Sequence, residues 1–216
     1  ALNRFQQFAR KVSRNNSRTC WVLKCDIRKF FASINHELLI GLLRKHDIDL
    51  NTEDLIRRIV ESFSGTDQGK GLPLGNLTSQ LLVNVYMNEF DQYIKHSLKQ
   101  HYYIRYADDF VIFHHDRKVL EDILFKIDLF LDKTLKLRIH PDKVFIKTLN
   151  SGVEFLGWVN FLDHRALRTA TKMRMFKRIK NNPVPETLSS YLGLLRHGNT
   201  NKLREAILKQ YLLGQS

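Results

Sequence analysis

Two adjacent aspartates, Asp108 and Asp109, separate the apolar runs Tyr102-Tyr103-Ile104-Arg105-Tyr106 and Phe110-Val111-Ile112-Phe113. Short runs rich in aromatic and β-branched residues read as strands, so the chain must reverse where it carries two negative charges. Like charges side by side repel, and an unpaired carboxylate beside buried strands costs about several kcal/mol, so a compensating cation is the natural resolution. An exposed hairpin turn is the plain alternative. The favoured two-residue turns, however, want Gly after the Asp, and Phe follows here. Asp26 makes a similar demand: it lies at the end of the apolar run 20–27 and is followed by Arg28, Lys29, Phe30 and Phe31. A salt bridge to a nearby arginine would satisfy it structurally. Three carboxylates on two strands also suit two hard divalent ions, which activate an attacking hydroxyl and stabilise the leaving oxygen of an in-line phosphoryl displacement.

Around these carboxylates the chain alternates between helical and strand patterns. Leu2, Phe5, Phe8, Ala9 and Val12 share one stripe, which predicts a basic amphipathic helix over 2–14. The run 21–27 reads as a buried strand. Asn35 opens a helix over 37–46, and Thr52, Leu55, Ile56, Ile59, Val60 and Phe63 mark another after a capping residue. Residues 64–75 gather four of the ten glycines with Pro73 and read as a loop. A long helical segment is predicted over 76–98, two strands over 102–115 and a helix over 119–135. Short strands follow at 137–139 and 144–146, then a strand or hairpin at 153–161. From Thr169 helical patterns dominate, broken at Asn181-Asn182-Pro183, with a subdomain boundary near 165–185. This mixture indicates an α+β fold.

The 216 residues carry 35 Lys and Arg against 22 Asp and Glu, a net charge of +13. Residues 1–29 hold eight basic and one acidic side chain, and residues 165–216 hold eleven basic and two acidic, leaving the middle slightly acidic. Basic ends around such a centre suit a nucleic-acid enzyme with metal in the middle and phosphate at its flanks, or else two solvated helix faces. Cys20 and Cys25 are too few for a disulfide framework or a four-ligand zinc site, so a reducing, cytoplasmic compartment is expected. No run approaches the roughly 18 apolar residues of a membrane span, so no membrane partner is expected. The start at Ala1 leads to the expectation of an upstream segment.

Four motifs then resemble, in order and spacing, the palm of the reverse transcriptases: Lys24-Cys25-Asp26-Ile27-Arg28-Lys29-Phe30-Phe31, Gly71-Leu72-Pro73-Leu74-Gly75-Asn76-Leu77-Thr78-Ser79-Gln80, Tyr106-Ala107-Asp108-Asp109 and Phe155-Leu156-Gly157-Trp158. The resemblance covers roughly 20–165, with a thumb-like continuation at Ser190-Tyr191-Leu192-Gly193. It implies a right-hand polymerase palm, an antiparallel sheet backed by helices, with a partial N-terminal fingers element and a helical C-terminal thumb. The domains expected are 1–165 and 166–216. Leu74 before the glycine and Gln80 after the serine look most like the enzymes of diversity-generating retroelements, where group II intron and retron enzymes usually have Gln and Pro. That likeness implies low-fidelity copying and an accessory protein of the retroelement as a partner.

Residue by residue, the resemblance assigns Asp26, Asp108, Asp109 and the Ile27 carbonyl to two Mg²⁺ ions, with Mn²⁺ as a substitute. Phe31 aligns with the steric gate that selects deoxynucleotides, and Phe30 is expected to point the other way into the core. Leu74, Gly75, Asn76 and Gln80 line the incoming nucleotide; Asn76 and Gln80 also read as ordinary polar residues of a helix start. Lys143 resembles a general acid near the pyrophosphate, and Phe155, Leu156 and Gly157 a primer-grip turn, with a bulged strand as the alternative. Arg165, Arg168, Lys172, Arg174, Lys177, Arg178 and Lys180 are expected on one basic helix that contacts the template–primer duplex. The expected partners are an RNA template, a DNA or RNA primer and deoxynucleoside triphosphates. An RNA-dependent RNA polymerase and a non-catalytic RNA-binding module are the alternatives. The aromatic Phe31 and Tyr106-Ala107 before the aspartates argue against the first, and the complete carboxylate set against the second.

Overall fold

The structure, a computed structural model, describes residues 1–62, 68–73 and 75–214. Its packing forms two units: Trp21–Ile146 with Ala1, and Leu2–Cys20 with Lys147–Ser216. In chain order, helix α1 (Leu2–Ser13) leads to strand β1 (Trp21–Asp26), the short helix α2 (Phe30–Ser33), and helices α3 (His36–Arg44), α4 (Leu50–Glu61) and α5 (Leu77–Gln92). Strands β2 (Tyr103–Tyr106) and β3 (Asp109–His114), helix α6 (Arg117–Leu135) and strand β4 (Phe145–Thr148) follow. Next come strands β5 (Val153–Phe155), β6 (Trp158–Asn160) and β7 (Arg165–Leu167), then helices α7 (Thr169–Asn181), α8 (Pro185–Leu195) and α9 (Asn201–Leu213). The subdomain boundary expected near 165–185 falls inside the second unit, across β7 and α7.

The first unit is built on a sheet of order β2-β3-β1-β4, in which β1 and β2 both run antiparallel to β3. Leu23, Cys25, Phe110 and Ile112 of this sheet share one core with Leu39 of α3, Tyr86 and Phe90 of α5, and Ile123 and Ile127 of α6. Helices α3, α4, α5 and α6 each begin where a side-chain oxygen of Asn35, Asp49, Asn76 or Asp116 accepts a hydrogen bond from a first-turn N–H. Capping by Asp116 starts α6 two residues before the apolar spacing does. The segment expected to be helical over 76–98 changes winding instead: α5 gives way to a five-residue π-helical turn, Tyr93–Ser97, where Tyr93 stacks on Phe130. Residues 137–139, expected as a strand, make only an isolated bridge, Ile139 to Ile27. Phe63, expected in the second helix, and residues 64–67 of the predicted loop lie outside the described residues.

In the second unit α1 buries Phe5, Phe8, Ala9 and Val12, and Phe5 stacks on Phe155 at 5.6 Å between ring centroids. Strands β5, β6 and β7 form an antiparallel sheet, and Met175, Ile179, Leu195 and Ile207 make a core shared by α7, α8 and α9. Gly198 lies so close to the ring of Trp158 that a Cβ there would overlap it, whereas Gly193 in α8 has open space around it. Gly198→Ala should therefore lose about 1–3 kcal/mol, while Gly193→Ala should gain up to about 1 kcal/mol. Urea unfolding of the two variants checks the contrast. Among the described residues no helix is long and apolar enough to cross a membrane.

Candidate active site

Asp26 ends β1 directly opposite Asp109, which begins β3, and Asp109 also faces Tyr106 at the end of β2. Only Ala107 and Asp108 remain to connect β2 with β3, so the antiparallel register brings all three carboxylates to one end of the sheet. The turn is strained: Ala107 has a φ of 53°, a left-handed conformation that costs a residue with a Cβ roughly 1–2 kcal/mol. Arg105 braces it. Its Nη1 donates to the Ala107 carbonyl at 3.1 Å, while Nε and Nη2 donate to the Asp91 carboxylate at 2.9 and 2.8 Å. The Tyr103 hydroxyl donates to the same carboxylate at 2.7 Å. On the other side, the Ile27 N–H donates to the Asp108 carbonyl at 3.2 Å, and the His140 N–H donates to the Asp26 carbonyl at 2.8 Å. Residues 139–140 therefore hold the end of β1 in place.

Two lysines enter the cluster. Lys143 places its Nζ 3.1 Å from Oδ1 of Asp26, and Lys24 places its Nζ 3.0 Å from Oδ1 of Asp109. The second contact is an ion pair with its ammonium off the hydrogen-bonding direction, because the buried Oδ1 makes no hydrogen bond of good geometry. Burial pushes the Asp109 carboxyl up to about 6, against the pull of Lys24 and with Asp26 and Asp108 adding to it. Burial likewise raises Asp108, and the charge of Asp26 adds to the rise. Crowded, desolvated carboxylates of this kind fit a hard divalent cation by donor chemistry, since its charge would offset what burial and repulsion impose. Among the described residues no three His, Cys, Asp or Glu side chains already converge as a metal-ligand set. Lys24 escaped the sequence reading although period two in a strand sets it on the same face as Asp26.

Phe31 and Gln80 line a cavity of about 300 Å³ together with Asn84, Tyr106 and Ala107. Phe30 is buried as expected, but for a different reason: β1 stops at Asp26, and Phe30 and Phe31 diverge because they sit in the helix α2, edge to face at 5.4 Å. Gly75 has a φ of 84° with nothing near a notional Cβ, so its backbone conformation, not crowding, requires glycine. The side chain of Asn76 is engaged in capping α5. Leu74 lies outside the described residues.

In the second unit Phe155, Leu156 and Gly157 make a tight hairpin rather than a bulged strand: Phe155 pairs with Trp158, and Leu156 and Gly157 have φ of 51° and 80°. The basic residues do not all lie on one helix. Arg165 is in β7, where it donates to Gln6 at 2.9 Å, and Arg168 precedes α7 and pairs with Glu154 at 3.0 Å. Lys172, Arg174, Lys177, Arg178 and Lys180 are exposed along α7, whose buried face is Met175 and Ile179. Arg165 and Lys172 also line a cleft of about 790 Å³ with Phe176 and Leu203.

A family model described as "Reverse transcriptase (RNA-dependent DNA polymerase)" matches residues 2–159. Protein YkfC of Escherichia coli (strain K12) is 27% identical over 81% of this chain and 55% of its own length. The group II intron-encoded protein LtrA of Lactococcus lactis subsp. cremoris is 25% identical over 73% of this chain and 37% of its own. The chain thus spans about half, or less, of the length of these relatives. Among solved structures, apo telomerase from Candida Tropicalis has a TM-score of 0.64 at 13% identity, covering 99% of this chain and 45% of that one. At that identity the likeness is one of fold.

Proposed function

This chain belongs to the reverse transcriptase family and has its α+β right-hand polymerase fold, and we propose that it extends a DNA or RNA primer with deoxynucleotides along an RNA template. The observation that carries this reading is the placement of Asp26, Asp108 and Asp109 at one sheet end, with Ala107 of the same turn lining the cavity walled by Phe31 and Gln80. The three carboxylates and the Ile27 carbonyl would hold two Mg²⁺ ions, or Mn²⁺ in their place. When bound, such ions supply activation of the primer 3′ hydroxyl and neutralisation of the departing pyrophosphate.

The chain's own groups do the rest. Lys143, beside Asp26, gives a proton to the leaving pyrophosphate, which lowers the charge that must depart. Phe31 sets its ring against the sugar, and Gly75 and Gln80 flank the base, a role the resemblance also assigns to Leu74, while Asn76 orders the first turn of α5. Residues 1–165 act as palm with partial fingers, and 166–216 as a thumb-like segment whose cations hold the duplex by its phosphates. The turn at Phe155, Leu156 and Gly157 grips the primer. Leu74 and Gln80 are the ground for proposing error-prone copying of the diversity-generating kind with a retroelement accessory protein, and the low cysteine count is the ground for placing it in the cytoplasm.

Replacing Phe31 tests the reading at its most specific point. On a poly-rA template with an oligo-dT primer, the ratio of kcat/KM for dTTP over UTP should fall about 10–100-fold in Phe31→Ala. A ratio that stays as high as in the unchanged chain would remove Phe31 from the sugar site, and a preference of the unchanged chain for UTP would overturn the reading itself.

A further inference from the structure

We infer that Lys24 is a positioning residue of the candidate metal centre: it holds Asp109 so that one carboxylate oxygen alone is open to a divalent ion, and it thereby favours Mg²⁺ over the larger Ca²⁺. This rests on the metal reading of the site proposed above. Strand β1 lies inside the sheet between β3 and β4, so its backbone is held from both sides. Asp26 pairs with Asp109 and Lys24 with Val111, which sets Lys24 diagonally across from Asp109 on the face that carries both aspartates. A long side chain spans that diagonal, and the Lys24 Nζ arrives 3.0 Å from Oδ1 of Asp109.

The two oxygens of Asp109 are unequal. Oδ1 is shut off from solvent and makes no hydrogen bond of good geometry, with Lys24 as its counter-charge. The side chain is nevertheless 20% exposed, so its open surface belongs to Oδ2 and the methylene. The Lys24 side chain is only 12% exposed and follows a backbone fixed by the sheet. Turning Oδ1 outward would leave an ammonium unpaired in a place that water hardly reaches, which is costly. Lys143 differs, because its side chain is exposed and can leave Asp26 for water at little cost. An ion arriving from water therefore meets a single oxygen of Asp109. Mg²⁺ takes oxygens one at a time into a tight octahedron, whereas Ca²⁺ accepts about six to eight and gains from a carboxylate that offers both. A lysine that withholds one oxygen thus weakens Ca²⁺ more than Mg²⁺.

Displacement of Mn²⁺ from the full chain by Mg²⁺ or by Ca²⁺, without template, primer or nucleotide, tests this. Paramagnetic resonance follows the bound Mn²⁺, and the signal that Asp26→Asn abolishes is the one read. Losing the Lys24 charge would by itself tighten both ions alike, so the ratio of their affinities reports positioning and not charge. In Lys24→Met the preference for Mg²⁺ over Ca²⁺ should fall about tenfold. In an Asp109→Asn background the same change should leave the ratio where it was, since no second carboxylate oxygen remains to be released. An unchanged ratio in Lys24→Met, or an equal shift in both backgrounds, overturns the inference. Thermal unfolding shows whether Lys24→Met is folded, and if it is not, the unchanged chain decides. There the infrared carboxylate bands that Asp109→Asn removes should move apart when Mg²⁺ binds, as ligation by one oxygen requires. Bands that draw together mean that both oxygens bind, which overturns it. A chain that binds no divalent ion sinks the metal reading and this inference together. An unchanged ratio in a chain that binds Mg²⁺ sinks the inference alone, and a shifted ratio in a chain inactive in primer extension sinks the polymerase reading alone.

Discussion

Asp26→Asn and Asp108→Asn chains are expected to fold and yet to incorporate deoxynucleotides at least roughly a thousandfold more slowly than the unchanged chain. A thousandfold corresponds to about 4 kcal/mol of lost transition-state stabilisation, the scale set by removing a charged ligand from a divalent-metal centre. The folded state should not suffer in proportion. Burial and the neighbouring Asp26 charge disfavour the Asp108 carboxylate, so a neutral amide of the same shape relieves that cost. Asn at position 26 gives up the ion pair to Lys143, whose side chain is 54% exposed, and a pair that open to water is worth about 1 kcal/mol or less. Activity collapsing while stability holds is the signature of groups placed for chemistry at the expense of the fold. Steady-state incorporation read beside thermal unfolding separates the two effects. Activity within tenfold of the unchanged chain would remove these carboxylates from the reaction.

Asp91→Ala is expected to lose about 3–5 kcal/mol of stability, because it strands a guanidinium that is only 8% exposed. Arg105 would keep its bond to the Ala107 carbonyl but lose both bonds to Asp91, and the Tyr103 hydroxyl would lose its acceptor. The strained turn carrying Asp108 would then be braced by an arginine with no counter-charge. Adding Arg105→Met should recover most of the loss, since an apolar side chain of similar length leaves no buried charge unpaired. Asp54→Ala is the contrasting case. Its partner Arg58 is 76% exposed, and the change should stay within about 0.5 kcal/mol beyond the helix-propensity effect of alanine. Chemical denaturation of the four chains checks the series. An Asp91→Ala loss no larger than that of Asp54→Ala would show that the Arg105 cluster is not what holds the turn.

Much of the arrangement was legible because local chemistry determined it. The Asp108-Asp109 pair between two apolar runs demanded a reversal, and antiparallel pairing with a strand ending at Asp26 was enough to bring three carboxylates together. Asn35 announced α3 because an N-terminal cap is a local device. What stayed hidden depended on contacts between residues far apart in the chain or on a change of winding. Nothing in the sequence couples Asp91 to Arg105 across a helix end and a strand, and nothing marks the π-helical turn at Tyr93–Ser97. Residues 137–139 have a strand's composition, but they meet β1 only at its tip, where a single bridge forms. A strand continued through Phe30 and Phe31 would set them on opposite faces, whereas the helix α2 separates them by rotation. Strand periodicity sets Lys24 on the face of Asp26, but the apolar run around it gives no local sign of its pairing with Asp109.

The carboxylates at the ends of β1 and β3 are proposed to serve RNA-templated DNA synthesis. The most direct test is incorporation of dTTP by the full chain on poly-rA primed with oligo-dT, with Mg²⁺ present and absent. Mg²⁺-dependent extension with dTTP preferred over UTP is the expected result. Extension that proceeds equally without any divalent ion, or no extension by a folded chain that binds the primed template, would contradict it.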